Sequence, residues 1–200
     1  MQTFLPYAHF STSAKFLDNK RLGKQRVEVL QLLRGQFPNH PCHLGWRHNR
    51  EALAAYGIRI CQEWISRGFK DTCLAKIDAE VNGMFDNGND KTLLTNTEDG
   101  LFLRWGEIYP YFKSHQMALL RKDVDFYGPQ LIKYGGHAWV TVEELTLPYL
   151  WPVVTKVEFE GCGYYEVTLQ EGRPLTREEK HFSAYDYSKW RLNKVTHVVP

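Results

Sequence analysis

The chain has 200 residues, 43% hydrophobic and 14% aromatic, enough for one domain or for a domain with a sizeable extension. Lys and Arg total 25 against 23 Asp and Glu, a formal charge of +2, so the global balance gives no argument for nucleic acid. No apolar run approaches the roughly 18 residues of a membrane helix, no leader peptide is expected, and the four cysteines form no CxxC pair, which fits a reduced, cytoplasmic protein.

Residues 1–10, MQTFLPYAHF, are apolar and aromatic, and Pro6 prevents a regular helix through them, so the segment is expected to pack against the body. Ser11, Thr12 or Ser13 offers a cap for one long helix over residues 15–36, KFLDNKRLGKQRVEVLQLLRGQ, ended by Gly35 and Pro38. Leu22, Val27, Leu30 and Leu33 approximate its buried stripe. Arg21, Lys24, Gln25, Glu28 and Gln31 share another side, with Arg26 and Arg34 near it. A lone Glu in a basic, amide-rich stripe has two readings. It is an ordinary partner of Lys24, worth about 0.3–0.5 kcal/mol, or a carboxylate placed to meet a charge that develops during chemistry.

Residues 38–46, PNHPCHLGW, read as a loop, because two prolines and a glycine interrupt regular structure. His40, Cys42, His43 and His48 match no standard zinc spacing, so no metal is expected. Residues 49–69 read as a second helix, with Leu53, Tyr56, Ile60 and Trp64 at core spacing and Ala52, Ala55 and Gly57 allowing a close neighbour. Arg67 and Gly68 close it. Residues 70–81 continue as a short helix, and 82–100 read as a long, mobile loop rich in Gly, Asn and Asp. A third helix is expected over 113–127, capped by Ser114, with His115, Gln116, Arg121 and Lys122 facing the groove of the first helix. Beyond Gly128 the character turns to β. LPYLWP, 147–152, is a proline-bracketed aromatic turn, and 153–159 and 164–169 form a hairpin. The tail 182–199 interleaves aromatics with cations, a pattern that stacks bases or simply covers the core. The expected fold class is mainly α, with a helical core at 1–152 and a β-rich extension at 153–200.

The segments MQTFLPY, LDNKRLGKQRVEVLQLLR, NHP with its following Trp, ALAAYGIRICQEWISRGF, SHQMALLRKD and LPYLWP resemble the pyrimidine-dimer DNA glycosylases, the endonuclease V-type excision enzymes of phage and bacteria. The resemblance covers most of residues 1–152. It implies a compact helical core with the N-terminal segment wedged between helices. It implies N-glycosyl cleavage at damaged or modified pyrimidines of double-stranded DNA, coupled to strand scission, by a monomer without metal or organic cofactor. In this family a terminal α-amine attacks C1′ and forms a Schiff base, while a glutamate on the first long helix stabilises the cationic sugar. By position these roles fall on Met1 and Glu28. The bulk of Gln2 disfavours removal of Met1, so the amine would be that of Met1 itself; Lys24 is the nearest side-chain amine that could substitute. DNA-contacting roles fall on Gln2, Arg21, Lys24, Arg26, His40, His115, Gln116, Arg121 and Lys122, the cations among them on phosphates.

The chemistry is consistent with those residue types. An α-amine ordinarily titrates near 7.7–8.0 against about 10.4 for lysine, so more of it is free base at neutral pH, as a nucleophile requires. A carboxylate about 4 Å from a unit positive charge gains about 4 kcal/mol at an effective dielectric of 20. Where that charge exists only in the transition state, the gain lowers the barrier. Reaching C1′ inside a duplex requires kinking or base flipping. Two other readings stay open: an enzyme acting on another modified nucleobase in DNA or RNA, and a non-catalytic nucleic-acid-binding module in which Glu28 is only a salt-bridge partner.

Overall fold

Eight helices precede a two-stranded hairpin among the residues described by the computed structural model, which are 1–47, 49–85, 109–134, 140–159 and 162–176. We number the helices α1 (Phe10–Phe16), α2 (Asn19–Leu33), α3 (Pro41–Trp46), α4 (Arg50–Ser66), α5 (Leu74–Phe85), α6 (Tyr109–Lys122), α7 (Val124–Lys133) and α8 (Val142–Leu145). Strands β1 (Leu150–Phe159) and β2 (Cys162–Glu171) pair antiparallel, with Trp151 opposite Gln170 and Phe159 opposite Cys162. The architecture is therefore mainly helical with a small C-terminal hairpin, the class expected from the sequence. No described helix is long and apolar enough to cross a membrane.

Several boundaries differ from the sequence reading, and each difference has a local cause. The helix expected over 15–36 is two helices. The backbone is extended at Leu17 and Asp18, and the Asp18 carboxylate accepts a hydrogen bond from Arg21 N at 2.9 Å, which starts α2 afresh. Neither Ser11, Thr12 nor Ser13 caps α1, whose N-cap is His9. Ser13 is instead buried and exchanges two hydrogen bonds with the Tyr7 backbone. The loop expected at 38–46 contains α3. Pro41 sits in its first turn, where no N–H is needed, and His40 Nδ1 accepts from Cys42 N. The helix expected over 113–127 begins at Tyr109 and breaks at Asp123, whose side chain accepts from Phe126 N and starts α7. Ser114 thus lies inside α6, donating to Tyr111 O and accepting from Leu150 N. Of the loop expected at 82–100, residues 82–85 complete α5 and 86–100 lie outside the described residues, as does the tail 182–199.

Helices α2 and α4 cross closely because each offers a glycine to the other. A Cβ on Gly57 would lie 2.5 Å from Val29 Cγ1, and one on Gly23 would lie 3.0 Å from the Trp64 ring. Trp64, expected in the core, is partly buried and covers Gly23 with its indole. Leu22, Val29, Leu33, Leu53, Ile60 and Ile77 fill the interior beneath this crossing. Val27, expected in the buried stripe, is 44% exposed, whereas Gln25 and Glu28 are 1% and 5% exposed. The polar side of α2 is not a wet face: the N-terminal segment lies over it. Strand β1 packs on α3 and α6, which brings the hairpin to the same end of the helical body.

Candidate active site

Residues 2–6 run between helices with little regular structure of their own, so their backbone groups must find side-chain partners. Three helices supply them, and a fourth, α3, holds the Thr3 side chain. From α2, Gln25 Oε1 accepts from Phe4 N at 2.9 Å, and Gln25 Nε2 donates to Gln2 O. From α4, the Tyr56 hydroxyl lies 2.9 Å from Phe4 O and 2.7 Å from Gln25 Oε1, its one proton shared between two acceptors. From α3, Trp46 Nε1 donates to Thr3 Oγ1 at 2.8 Å. From α6, His115 Nδ1 accepts from Leu5 N at 2.9 Å and Gln116 Nε2 donates to Pro6 O at 2.7 Å. Burial pushes the His115 imidazole down to about 3, so it is neutral. Because its Nδ1 accepts, its proton is on Nε2.

This clamp fixes where the chain begins. The Met1 amine lies 3.9 Å from Glu28 Oε1. That separation is an ion-pair distance, longer than a hydrogen bond. Glu28 is held from its other oxygen, Oε2, which accepts from Gln25 Nε2 at 2.8 Å. Gln25 therefore orients both the N-terminal backbone and the acid. Lys24 Nζ stands 3.5 Å from Glu28 Oε1 on a side chain that is 70% exposed.

The amine and the acid line an open cleft of about 370 Å³. Lys20, Arg21, Lys24 and Lys122 give its lining positive charge, and Phe4, Tyr149 and Trp151 supply aromatic rings. Arg21 is fixed by an ion pair with Asp18, and its guanidinium stands 5.4 Å from the centre of the Tyr127 ring. Burial alone would raise the Asp18 carboxyl, but hydrogen bonds from Tyr127 and Arg21 outweigh it and hold the group below its ordinary value.

The residues singled out from the sequence divide into three groups. Met1, Gln2, Arg21, Lys24, Glu28 and Lys122 line the cleft. His115 and Gln116 are buried and bond the N-terminal segment, so they support the cleft rather than face it. His40 stands behind Trp151, the two rings 5.8 Å apart and nearly perpendicular; burial lowers its imidazole, as does the nearby terminal amine, with Glu28 opposing. Arg26 and Arg121 are not part of the cleft lining. Arg26 pairs with Asp71 and lies 4.2 Å from the centre of the Trp64 ring, and Asp71 caps α5 through Cys73 N and Leu74 N. Arg121 Nη1 donates to Leu145 O at 2.6 Å, joining α6 to α8. Among the described residues no group of His, Cys, Asp and Glu side chains could hold a metal ion. The sequence reading gave no site role to Lys20, Phe4, Gln25, Tyr149 or Trp151. Lys20 was legible as one turn before Lys24, whereas Tyr149 and Trp151 reach the cleft only through tertiary packing.

Residues 1–77 match the model of the pyrimidine dimer DNA glycosylase family. No curated protein and no solved structure matches the chain. The matched region contains Met1, Gln25 and Glu28 and ends within α5. Lys122, Tyr149 and Trp151 lie beyond it.

Proposed function

We propose, from the match of residues 1–77 to the pyrimidine dimer DNA glycosylase family model, that the cleft cuts the glycosidic bond of a damaged or modified pyrimidine in duplex DNA and then cuts the strand. The observation that carries the proposal is the 3.9 Å approach of the Met1 amine to Glu28. The amine, as free base, adds its lone pair to C1′. The C1′–N glycosidic bond breaks, and its electron pair leaves with the base, which takes up a proton. The attached nitrogen loses a proton. The sugar ring then opens as the C1′–O4′ electron pair goes to O4′, which is protonated, leaving an iminium between nitrogen and C1′. Loss of a C2′ proton expels the 3′ phosphate by β-elimination, and water releases the enzyme.

Glu28 serves this sequence as a fixed negative charge beside a centre that becomes positive, and as a proton carrier between the amine and the sugar. A unit charge at about 4 Å and an effective dielectric of 20 gains about 4 kcal/mol, about a thousandfold in rate. Gln25 holds the carboxylate before substrate arrives, so little reorganisation is needed at the moment of reaction. Lys20, Lys24, Arg21 and Lys122 are the cations that line the cleft and would meet phosphates. The proposal does not use Arg26 as a phosphate ligand, because it does not line the cleft, whereas Arg21, paired with Asp18, does.

The test is nicking of a duplex with one cis-syn thymine dimer, whose cleaved thymine stays joined to its neighbour through the cyclobutane ring, with mass spectrometry for bases released from duplexes that carry other modified pyrimidines. Glu28→Gln is expected to lower the rate about a thousandfold. Equal rates for the two proteins would overturn the role of Glu28.

A further inference from the structure

The clamp on the N-terminal segment stops one residue short of the amine it serves. Among the described residues, the backbone group nearest the chain start that a side chain holds is Gln2 O, which accepts from Gln25 Nε2. The planar peptide bond between Met1 and Gln2 leaves the Met1 ψ and the Gln2 φ to be fixed by something else. The Met1 side chain is the group at hand. It is 7% exposed and packs against the hydrophobic core. The residue as a whole is only partly buried, so its backbone end, which carries the amine, is its more open part. The same residue lines the cleft, with its amine 3.9 Å from Glu28 Oε1. An unbranched thioether chain suits such a seat, because it fills an irregular gap with little steric demand.

We infer that the Met1 side chain is a positioning group: seated in the core, it fixes the direction in which its own α-amine meets C1′, so the site selects the residue that stands first. The inference rests on the reading of Met1 and Glu28 given above and adds what holds the nucleophile in place. The Met1 Cα is tetrahedral and of one hand. With its Cβ anchored in the core and its carbonyl carbon led toward the Gln2 clamp, the amine has one direction left. A first residue without a side chain loses one of those two anchors. Ordering the backbone of one residue then costs a free energy equivalent to about 5- to 30-fold in rate, and glycine has the most freedom to lose. Loss of the whole residue is worse. The amine would be that of Gln2, set back by about 3.8 Å, the spacing of successive Cα atoms. Reacting atoms must come within about 3–3.5 Å, and a misplacement of about 1 Å already costs about a hundredfold.

The experiment releases the full chain from an N-terminal fusion with a protease that leaves no residue of the fusion behind. The proteins compared are the unaltered chain, Met1→Leu, Met1→Gly and a chain that begins at Gln2. Each is trapped with borohydride, at saturating protein, on a duplex with one abasic site. The amine condenses with the C1′ aldehyde, water leaves, and borohydride delivers a hydride to the iminium, leaving a stable secondary amine. Rates are compared on the plateau above the titration of the amine, so that differences in basicity do not enter. Met1→Gly is expected to be trapped about 5- to 30-fold more slowly than the unaltered chain. The chain from Gln2 is expected to be slower by about a hundredfold or more. Met1→Leu keeps an apolar side chain of similar volume and is expected to fall between the unaltered chain and Met1→Gly. Affinity for the same duplex with a tetrahydrofuran residue, which has no aldehyde, is expected to change little, which shows that the variants are folded and puts the loss in the chemical step. A Met1→Gly rate equal to that of the unaltered chain, a Met1→Leu rate no higher than that of Met1→Gly, or rates that fall only in step with tetrahydrofuran affinity overturns the inference and leaves the reading of Met1 and Glu28 standing. An unaltered chain that forms no adduct at its α-amine overturns that reading, and the inference with it.

Discussion

Replacing Gln25 by leucine should damage this protein more than its place on a charged helix suggests. The side chain is 1% exposed and its amide meets four groups: Phe4 N, Tyr56 Oη, Gln2 O and Glu28 Oε2. Leucine has nearly the same volume and no polar atom. Tyr56 keeps a partner in Phe4 O at 2.9 Å, but Phe4 N, Gln2 O and Glu28 Oε2 each lose a hydrogen bond. Each buried group left unsatisfied costs about 1–3 kcal/mol, so the gross loss is about 3–9 kcal/mol. Burying the leucine returns about 1.5–3 kcal/mol, leaving a net loss centred on about 4 kcal/mol. Against a typical stability of about 5–15 kcal/mol, that is large. Urea unfolding followed by circular dichroism measures it, and hydrogen exchange at Phe4 and Leu5 reports whether the N-terminal segment has loosened. A loss below about 1 kcal/mol, with exchange at Phe4 unchanged, would refute the reasoning that Gln25 holds this segment.

Two further predictions concern His115 and Lys24. The His115 imidazole is lowered from 6.5 to about 3 by burial, so between those values the unfolded chain binds the extra proton. The stability it contributes is therefore fully present above pH 6.5 and lost as pH falls toward 3; unfolding at pH 5 should cost about 2 kcal/mol less than at pH 7.5 from this residue. His115→Gln should flatten that dependence, and an unchanged pH profile in the variant would count against a neutral, buried imidazole. Lys24→Ala should weaken DNA binding and reduce the slope of log affinity against log salt by about 0.9. An unchanged slope would mean that this lysine neutralises no phosphate.

Element types were readable where one local rule dominated. Gly35, with φ at 73°, ends the turn after α2, and Gly57 of α4 does receive a close neighbour, Val29. The breaks at Asp18 and Asp123 were also written locally, as side chains able to cap a new helix, but a continuous apolar period over each break hid them. The burial of Gln25 and Glu28 was not legible. Periodicity puts them with Lys24 on a polar face, and only the N-terminal segment lying over that face turns it inward. Arg26 shows the converse. Its position one residue from Gln25 suggested the same groove, but the helix turns it about 100° away, toward Asp71 and Trp64. The aromatic half of the cleft comes from residues 149–151, more than a hundred positions from Glu28 in the chain. No period or spacing in the sequence links the two.

The most direct measurement is to trap the protein on a duplex containing an abasic site with borohydride, digest it, and find by mass spectrometry which nitrogen carries the sugar. The account predicts a single adduct on the peptide that begins at Met1, at its α-amine, formed much more slowly by Glu28→Gln. An adduct on Lys24 or Lys122 instead would contradict it.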